Sequence, residues 1–138
     1  MGGFKRIALR TYEMARNFDT REFLVFAAEQ DFLTVYGITR YSPRIDFARN
    51  FLVAVHCGVC PTGGYRVTIE DILCRQNHAT VRVRFEEPGP DDVVTLVITY
   101  PQDTVLVPKN ICSNQRQAHF SFVDQRGNHL ARKSVTME

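Results

Sequence analysis

Residues 58–65 read Gly-Val-Cys-Pro-Thr-Gly-Gly-Tyr and predict a turn that leads directly into a strand. Pro61 presets its own φ, while Gly63 and Gly64 can take backbone angles that a side chain would forbid. From Tyr65 onward apolar and polar residues alternate, which is the period of a strand with one buried face. We therefore expect a β domain with this turn at its tip, where it is either purely structural or presented to another protein.

The composition predicts one ordinary globular domain, residues 1–138, with 44% hydrophobic residues to fill its core. The net charge is +2 and the basic residues are scattered, so we expect no nucleic-acid partner. No signal peptide is visible and no apolar run approaches the length of a membrane span. We therefore expect a cytoplasmic chain without membrane insertion, or an exported one if a leader was removed. The four cysteines are then expected to be free thiols.

Strand patterns separated by turn signals continue along most of the chain, and they predict a β core over about residues 45–135. The apolar run 51–55 predicts a central strand covered on both faces. The other strands are expected, in chain order, within residues 4–15, 65–73, 81–86, 93–100 and 104–107, and as a last hairpin within 118–135. Residues 93–100 should be the hairpin partner of the strand that precedes the turn at Pro88.

One helix is expected near the N-terminus, over about residues 19–36. Asp19 is a good N-cap and Glu22 stands three residues later, which is the spacing of a capping box. Gly37 is a natural residue to follow the last turn. The fold class that results is mainly β: an antiparallel β-sandwich or open barrel, immunoglobulin-like in architecture, with one N-terminal helix.

Several motifs follow one another along the chain: Ile45-Asp46-Phe47, the strand 51–55, Gly58, Pro61-Thr62-Gly63-Gly64-Tyr65, the turn Glu86-Glu87-Pro88-Gly89-Pro90, residues 94–99, Tyr100-Pro101 and residues 105–108. Their order and spacing resemble the C-terminal domain family of the protease-complex subunit PrcB, over about residues 20–108. The resemblance implies a small bacterial β-rich domain. It also implies a non-enzymatic role in assembling or stabilising a protease complex, which needs an interaction surface rather than an active site.

The same turn also resembles, in part, the inhibitory loop of chagasin-type cysteine-peptidase inhibitors, which are immunoglobulin-like domains. Pro61-Thr62-Gly63 matches part of their Asn-Pro-Thr-Thr-Gly loop, while Cys60 stands at the Asn position and Gly63 at that of the second Thr. This resemblance implies an alternative function, inhibition of a peptidase through residues 60–65.

The residues that could carry chemistry are few, so we expect no enzyme and no cofactor. Cys57 and Cys60 have the C-x-x-C spacing of a metal or redox pair, but no second close pair follows and no helix begins there. The candidate binding loop is Pro61, Thr62, Gly63, Gly64, Tyr65 and Arg66. The expected partner is a protein, with a peptidase as one candidate, and an uncovered edge strand offers a route to a homodimer.

Overall fold

Two four-stranded sheets facing each other form the fold in the computed structural model, which describes residues 3–7, 17–37, 44–112 and 117–136. The elements are β1 (Lys5–Ile7), β2 (Glu22–Phe26), α1 (Glu29–Tyr36), β3 (Asn50–His56), β4 (Arg66–Arg75), β5 (His78–Glu86), β6 (Gln102–Pro108), β7 (Gln117–Val123) and β8 (His129–Thr136). The first sheet has the order β1-β6-β3-β2 and the second β4-β5-β7-β8. The mainly β, sandwich-like fold with one α-helix in the described ranges confirms the expected class.

The main core lies between the two sheets and is built around β3. Every residue of β3 after Asn50 is buried, as the apolar run predicted. Phe51, Val53 and Val55 point toward the second sheet, where the rings of Phe51 and Phe120 lie 5.2 Å apart, edge to face. Alternation within a strand sends the intervening residues to the other side, where they meet α1. The sandwich therefore has a third, smaller layer on the outer face of its first sheet.

The helix begins at Glu29, so the prediction of a helix from Asp19 is wrong. Residues 22–26 form β2 instead, an edge strand paired antiparallel with β3. Both faces of this segment are apolar: Phe23 packs on Phe122 of the second sheet, with ring centroids 5.1 Å apart, while Phe26 packs under α1. A helix here could not bury both faces, so the long-range pairing overrides the local capping signal.

Aromatic residues fill the layer between α1 and the first sheet. Tyr36, fully buried, places its Oη 2.6 Å from Nε2 of His56, and the ring of Phe18 lies 4.5 Å from the imidazole. Burial lowers the pKa of His56 to about 4, so the ring is neutral at physiological pH. The expected helix end is confirmed, because the N–H of Gly37 donates to the carbonyl of Leu33 at 2.8 Å.

The last hairpin of the second sheet matches the sequence-based expectation, while its middle pair of strands does not. β4 and β5 are joined at residues 76–77, and β7 and β8 at a turn in which Gly127 N–H donates to Asp124 O. β5 and β7, however, run parallel, with His78 opposite His119. The chain leaves the second sheet after β5, crosses to the first as β6 and returns as β7. The sheet is therefore mixed rather than purely antiparallel.

Residues 93–98 form no strand, so the predicted hairpin partner of β5 is wrong. A single bridge, between Cys60 and Thr99, is the only pairing found in the predicted strand 93–100. The physical reason lies in the sheet: β5 already has β4 on one side and β7 on the other. A strand arriving from the Pro88 turn therefore finds no free edge along most of β5.

Cys74 and Cys112 form a disulfide, which corrects the expectation of four free thiols. The bond ties the end of β4, in the second sheet, to the chain just after a short 3₁₀ turn (Lys109–Ile111) that follows β6 in the first sheet. Cys57 and Cys60 are free. No local pattern indicates this pairing, because the two cysteines are 38 positions apart and meet only through sheet packing.

Two further expectations concern parts of the chain that the structure does not describe. The first strand is present as β1, but residues 8–16 of the predicted stretch 4–15 and its surroundings lie outside the described residues. A loop is also expected from the sequence over residues 41–46, centred on Pro43, and its residues 41–43 lie outside the described residues as well. Within the described ranges, neither helix is long and apolar enough to span a bilayer.

Candidate functional site

The predicted binding loop, which we call the 61–66 corner, links β3 to β4 and rests on the segment that precedes β6. At its base, Cys60 and Thr99 exchange two backbone hydrogen bonds of 2.8 and 2.9 Å. Thr99 Oγ1 donates to the carbonyl of Thr62 at 2.9 Å, and the N–H of Gly63 donates to the carbonyl of Thr95 at 3.0 Å. The structure thus joins the corner to a second loop that sequence reasoning had assigned to a strand.

The two glycines of the corner make this contact sterically feasible. Gly64 has a φ of +90°, and a Cβ there would lie 2.8 Å from Pro88 Cβ and 3.0 Å from Val94 Cγ1. A Cβ on Gly63 would collide with the hydroxyl of Thr95. Side chains at either position would push the two loops apart. The Gly-Gly pair is therefore needed for packing against residues 94–95 as well as for the turn.

The second loop, residues 93–98, carries an exposed apolar surface; we call it the apolar segment. Val93 is fully exposed, Leu96 is 89% exposed, and Val97 and Ile98 are each 60% exposed. Within the described part of the chain, the carbonyl of Thr95 is the one main-chain group of this segment with a hydrogen bond. Scattered exposed apolar residues are normal on a protein surface, whereas large contiguous apolar patches are typical of interaction sites.

A groove of about 700 Å³ lies beside the corner, and Tyr65 and Arg66 line it together with both free cysteines. Tyr65 is partly buried and Arg66 is exposed. On the opposite wall, the guanidinium of Arg21 lies 3.9 Å above the ring of Phe85, a cation–π distance. Sequence reasoning missed both Arg21 and Phe85, because no local pattern indicates that the start of β2 and the end of β5 lie at the same groove.

At the groove, a glutamine side chain makes the hydrogen bonds to β5 that a neighbouring strand would otherwise make. Gln125 accepts a hydrogen bond from the N–H of Phe85 at 3.1 Å and donates one to its carbonyl at 2.7 Å. β7 pairs with β5 only as far as Arg82, so the amide of Gln125 takes the place that the next peptide group would hold. The N–H and carbonyl of Phe85, on the edge of β5 at the groove, therefore both have hydrogen-bond partners.

The thiols of Cys57 and Cys60 are placed together by the end of β3, in surroundings that favour their protonated form. Burial, followed by the neighbouring thiol of Cys60, raises the pKa of Cys57 to about 11. Burial also raises the pKa of Cys60, and the positive charge of Arg21 only partly opposes this. A protonated thiol is a weak nucleophile and a poor metal ligand. Among the described residues, no group of three or more His, Cys, Asp or Glu side chains is arranged to hold a metal.

The geometry thus separates the predicted site residues into two groups. Thr62, Gly63 and Gly64 contact residues 94–99, while Pro61, Tyr65 and Arg66 line the groove with the cysteine pair. A metal or redox role for Cys57 and Cys60 stays a prediction, as does peptidase inhibition through residues 60–65. The apolar segment is the part of the site that sequence reasoning missed.

Comparison with known proteins gives one family. No curated protein and no solved structure matches the chain. The family model described as PrcB C-terminal matches residues 51–108, which run from β3 to the end of β6 and include the 61–66 corner and the apolar segment. The match begins later than the expected residue 20, so β2 and α1 lie outside it. This match confirms the resemblance to the PrcB C-terminal family over residues 51–108.

Proposed function

We propose that this chain is a non-enzymatic protein-interaction domain that binds its partner through the 61–66 corner and the apolar segment. The observation that carries the proposal is the exposure of Val93, Leu96, Val97 and Ile98 on one continuous stretch. Burying such side chains against a partner is favourable by roughly 1.5–3 kcal/mol for each one fully covered. This is the usual source of affinity in protein interfaces.

The hydrogen bonds at Thr95 and Thr99 support the proposal, because they hold the apolar segment in place before any partner arrives. An anchored loop loses less conformational entropy on binding than a loose one, so more of the burial energy is expressed as affinity. The corner supplies these anchors through Gly63, Thr62 and Cys60. Corner and apolar segment therefore act as one surface.

The family match supports a role in a protein complex, since it is consistent with a domain associated with a protease complex. We propose accordingly that the partner is a component of such a complex, with a peptidase as the first candidate. The domain would assist assembly or stability rather than carry out catalysis. The family is not known as a catalytic one, and the raised thiol pKa values of Cys57 and Cys60 point the same way.

The disulfide bears on where the domain works. Bonds of this kind persist in oxidising compartments and are rare in the reducing cytosol. The Cys74–Cys112 bond therefore favours the exported alternative over the cytoplasmic one. Acid quenching of native cells, followed by alkylation of the denatured protein and mass measurement, tests this: two modifiable cysteines support export, and four support a cytoplasmic chain.

The proposed function is tested by affinity capture from the native cell with wild type and two matched variants. Leu96→Asp places a charge on the apolar segment, while Leu73→Asp places the same charge on an exposed leucine on the outer face of β4. We expect wild type and Leu73→Asp to recover the same protein, identified by mass, and Leu96→Asp to lose it. Equal recovery by all three would contradict the assigned surface, and turnover of a small substrate would contradict the non-enzymatic assignment.

A further inference from the structure

We propose that the partner of the apolar segment presents basic side chains beside the recess that receives Leu96, and that these side chains pair with Asp91 and Asp92. This inference rests on the proposed function, because it uses the same surface and adds the chemistry of its occupant. The occupant is a foreign protein whose binding face is an apolar recess with a cationic rim.

The part of the chain that carries the apolar segment is acidic, although the chain as a whole is basic. Residues 85–108 contain five Asp and Glu side chains and no Lys, Arg or His, whereas the whole chain has a net charge of +2. Four of these five acids are exposed: Glu86, Glu87, Asp91 and Asp92. The exposed apolar side chains therefore share their part of the chain with negative charge only.

The fold brings the two ends of the loop 88–94 together on the 61–66 corner. Pro88 and Val94 both lie against Gly64, where a Cβ would be 2.8 Å from Pro88 Cβ and 3.0 Å from Val94 Cγ1. Residues 90–93, between these two anchored ends, are all exposed. The acidic residues of the loop and the first apolar residue of the apolar segment are therefore displayed together.

The two aspartates of this loop are held by the turn but not neutralised. Asp92 Oδ2 accepts a hydrogen bond from the N–H of Gly89 at 2.6 Å, and the N–H of Asp92 donates to the carbonyl of Gly89 at 3.1 Å. Neither Asp91 nor Asp92 forms an ion pair with a basic side chain of the described ranges, whereas Asp103 is ion-paired with Arg6. Both carboxylates are therefore available to a cation from outside the molecule.

The other two exposed acids differ, because basic side chains lie in the same groove. Glu86 and Glu87 line the groove beside the corner together with three arginines: Arg21, Arg66 and Arg126. Their charges are partly balanced within the molecule. The negative charge that a partner would meet without a nearby base is therefore that of Asp91 and Asp92, which directly precede the apolar segment.

Charge complementarity decides among the possible occupants of this surface. A partner that covers the apolar segment also removes water from the two neighbouring carboxylates, which is costly unless a cation replaces the water. Basic side chains on the partner supply that cation and speed the encounter. A second copy in a symmetric contact would bring the same carboxylates from both sides, and an anionic membrane surface would repel them. A protein with a basic rim is therefore the occupant that fits.

The test is the binding kinetics of the full chain with the protein captured in the experiment on the proposed function. The variant Asp91→Asn/Asp92→Asn removes both charges, and asparagine keeps a side-chain oxygen that can accept from Gly89. We expect its association rate constant at low ionic strength to fall at least about fivefold, with the dissociation rate constant within about twofold of wild type, because rim charges act mainly on association. In about 1 M salt, where the Debye length is about 3 Å, the two proteins should associate at the same rate.

The matched control is Glu29→Gln/Asp31→Asn, which removes two exposed acids from the first turn of α1. These acids line a cavity with Phe47 and Lys109, near the start of β3, whereas the 61–66 corner follows the end of β3. We expect this control to associate with the partner as wild type does. A slowing equal to that of Asp91→Asn/Asp92→Asn would reflect net charge alone and would overturn the local assignment.

The remaining outcomes separate this inference from the proposed function. Equal association rates for wild type and Asp91→Asn/Asp92→Asn at low ionic strength, or faster association of the variant, overturn the basic partner and leave the proposed function intact. Equal capture by wild type and Leu96→Asp contradicts the proposed function, and the inference falls with it. Sedimentation equilibrium of wild type alone should show a monomer, and a dimer that Leu96→Asp weakens would make a second copy the occupant and overturn the inference.

Discussion

Removing the Cys74–Cys112 disulfide should lower the free energy of unfolding by about 4 kcal/mol. The bond closes a loop with a sequence separation of 38. For a loop of that length the chain-entropy relation gives a loss of about 13 cal/mol/K in the unfolded state, which is about 4 kcal/mol at 25 °C. Since domains are stable by only about 5–15 kcal/mol, this one bond is a large part of the total.

The measurement is urea-induced unfolding of wild type and of the variant Cys74→Ala/Cys112→Ala. Cys112 is buried in the main core and Cys74 packs against that core, so alanine is preferred to serine, which would bury a hydroxyl. The matched control is Cys57→Ala/Cys60→Ala, which removes both remaining thiols and leaves the bond. In unfolded, unreduced wild type we expect two titratable thiols, and four after reduction.

Two results would refute this reasoning. Four thiols in the unreduced protein would show that the bond does not form. A difference below about 1 kcal/mol between wild type and Cys74→Ala/Cys112→Ala would show that the bond does not restrict the unfolded chain as the entropy relation requires.

Three further predictions follow from burial and backbone geometry. The pKa of His56 is about 4 in the folded state and 6.5 in the unfolded state, so the unfolded state takes up a proton first as pH falls. Wild type should therefore lose about 3 kcal/mol of unfolding free energy between pH 6.5 and pH 4. Urea-induced unfolding should show a smaller loss over the same pH range in His56→Gln. Gly127→Ala, at φ +86° with open space around it, should lower the free energy of unfolding by about 1 kcal/mol. Gly64→Ala should lower it further, because the new methyl group also clashes with Pro88 and Val94. Equal free energies of unfolding for the two variants would contradict the close packing at Gly64. Cys57, with its pKa raised to about 11, should react with iodoacetamide at pH 8 roughly a hundredfold more slowly than free cysteine, and an equal rate would place its thiol in water.

The elements that could be predicted from sequence are those whose signals are local. The buried run in β3 has no polar residue between its ends. The β7–β8 hairpin is indicated by Gly127, which stands between two stretches of alternating residues. The 61–66 corner was equally visible, because proline and glycine fix its geometry whatever surrounds it. For these parts, tertiary packing agrees with local preference.

The elements that were missed depend on contacts between distant segments. Residues 22–26 carry a capping signal for a helix, yet they pair with β3 and contact both cores. Residues 93–98 have the composition of a strand but no free edge beside them, which only the parallel placement of β7 reveals. For the same reason only one part of the candidate site was predicted. The 61–66 corner is indicated by its own residues, whereas the apolar segment that packs against it lies about 30 positions further along the chain.

Because β5 pairs with β7, the second sheet can be completed only late in the synthesis of the chain. While the ribosome extends the chain, β5 emerges with β4 on one side, and its other edge stays open until β7 has been made. Phe120 and Phe122, which complete the core over β3, arrive in that same late strand. Until then the nascent chain exposes an open strand edge, an unfinished apolar interior and the apolar segment at once. This is the period in which such a chain most needs protection from aggregation, and long-range pairing of this kind is slow to form.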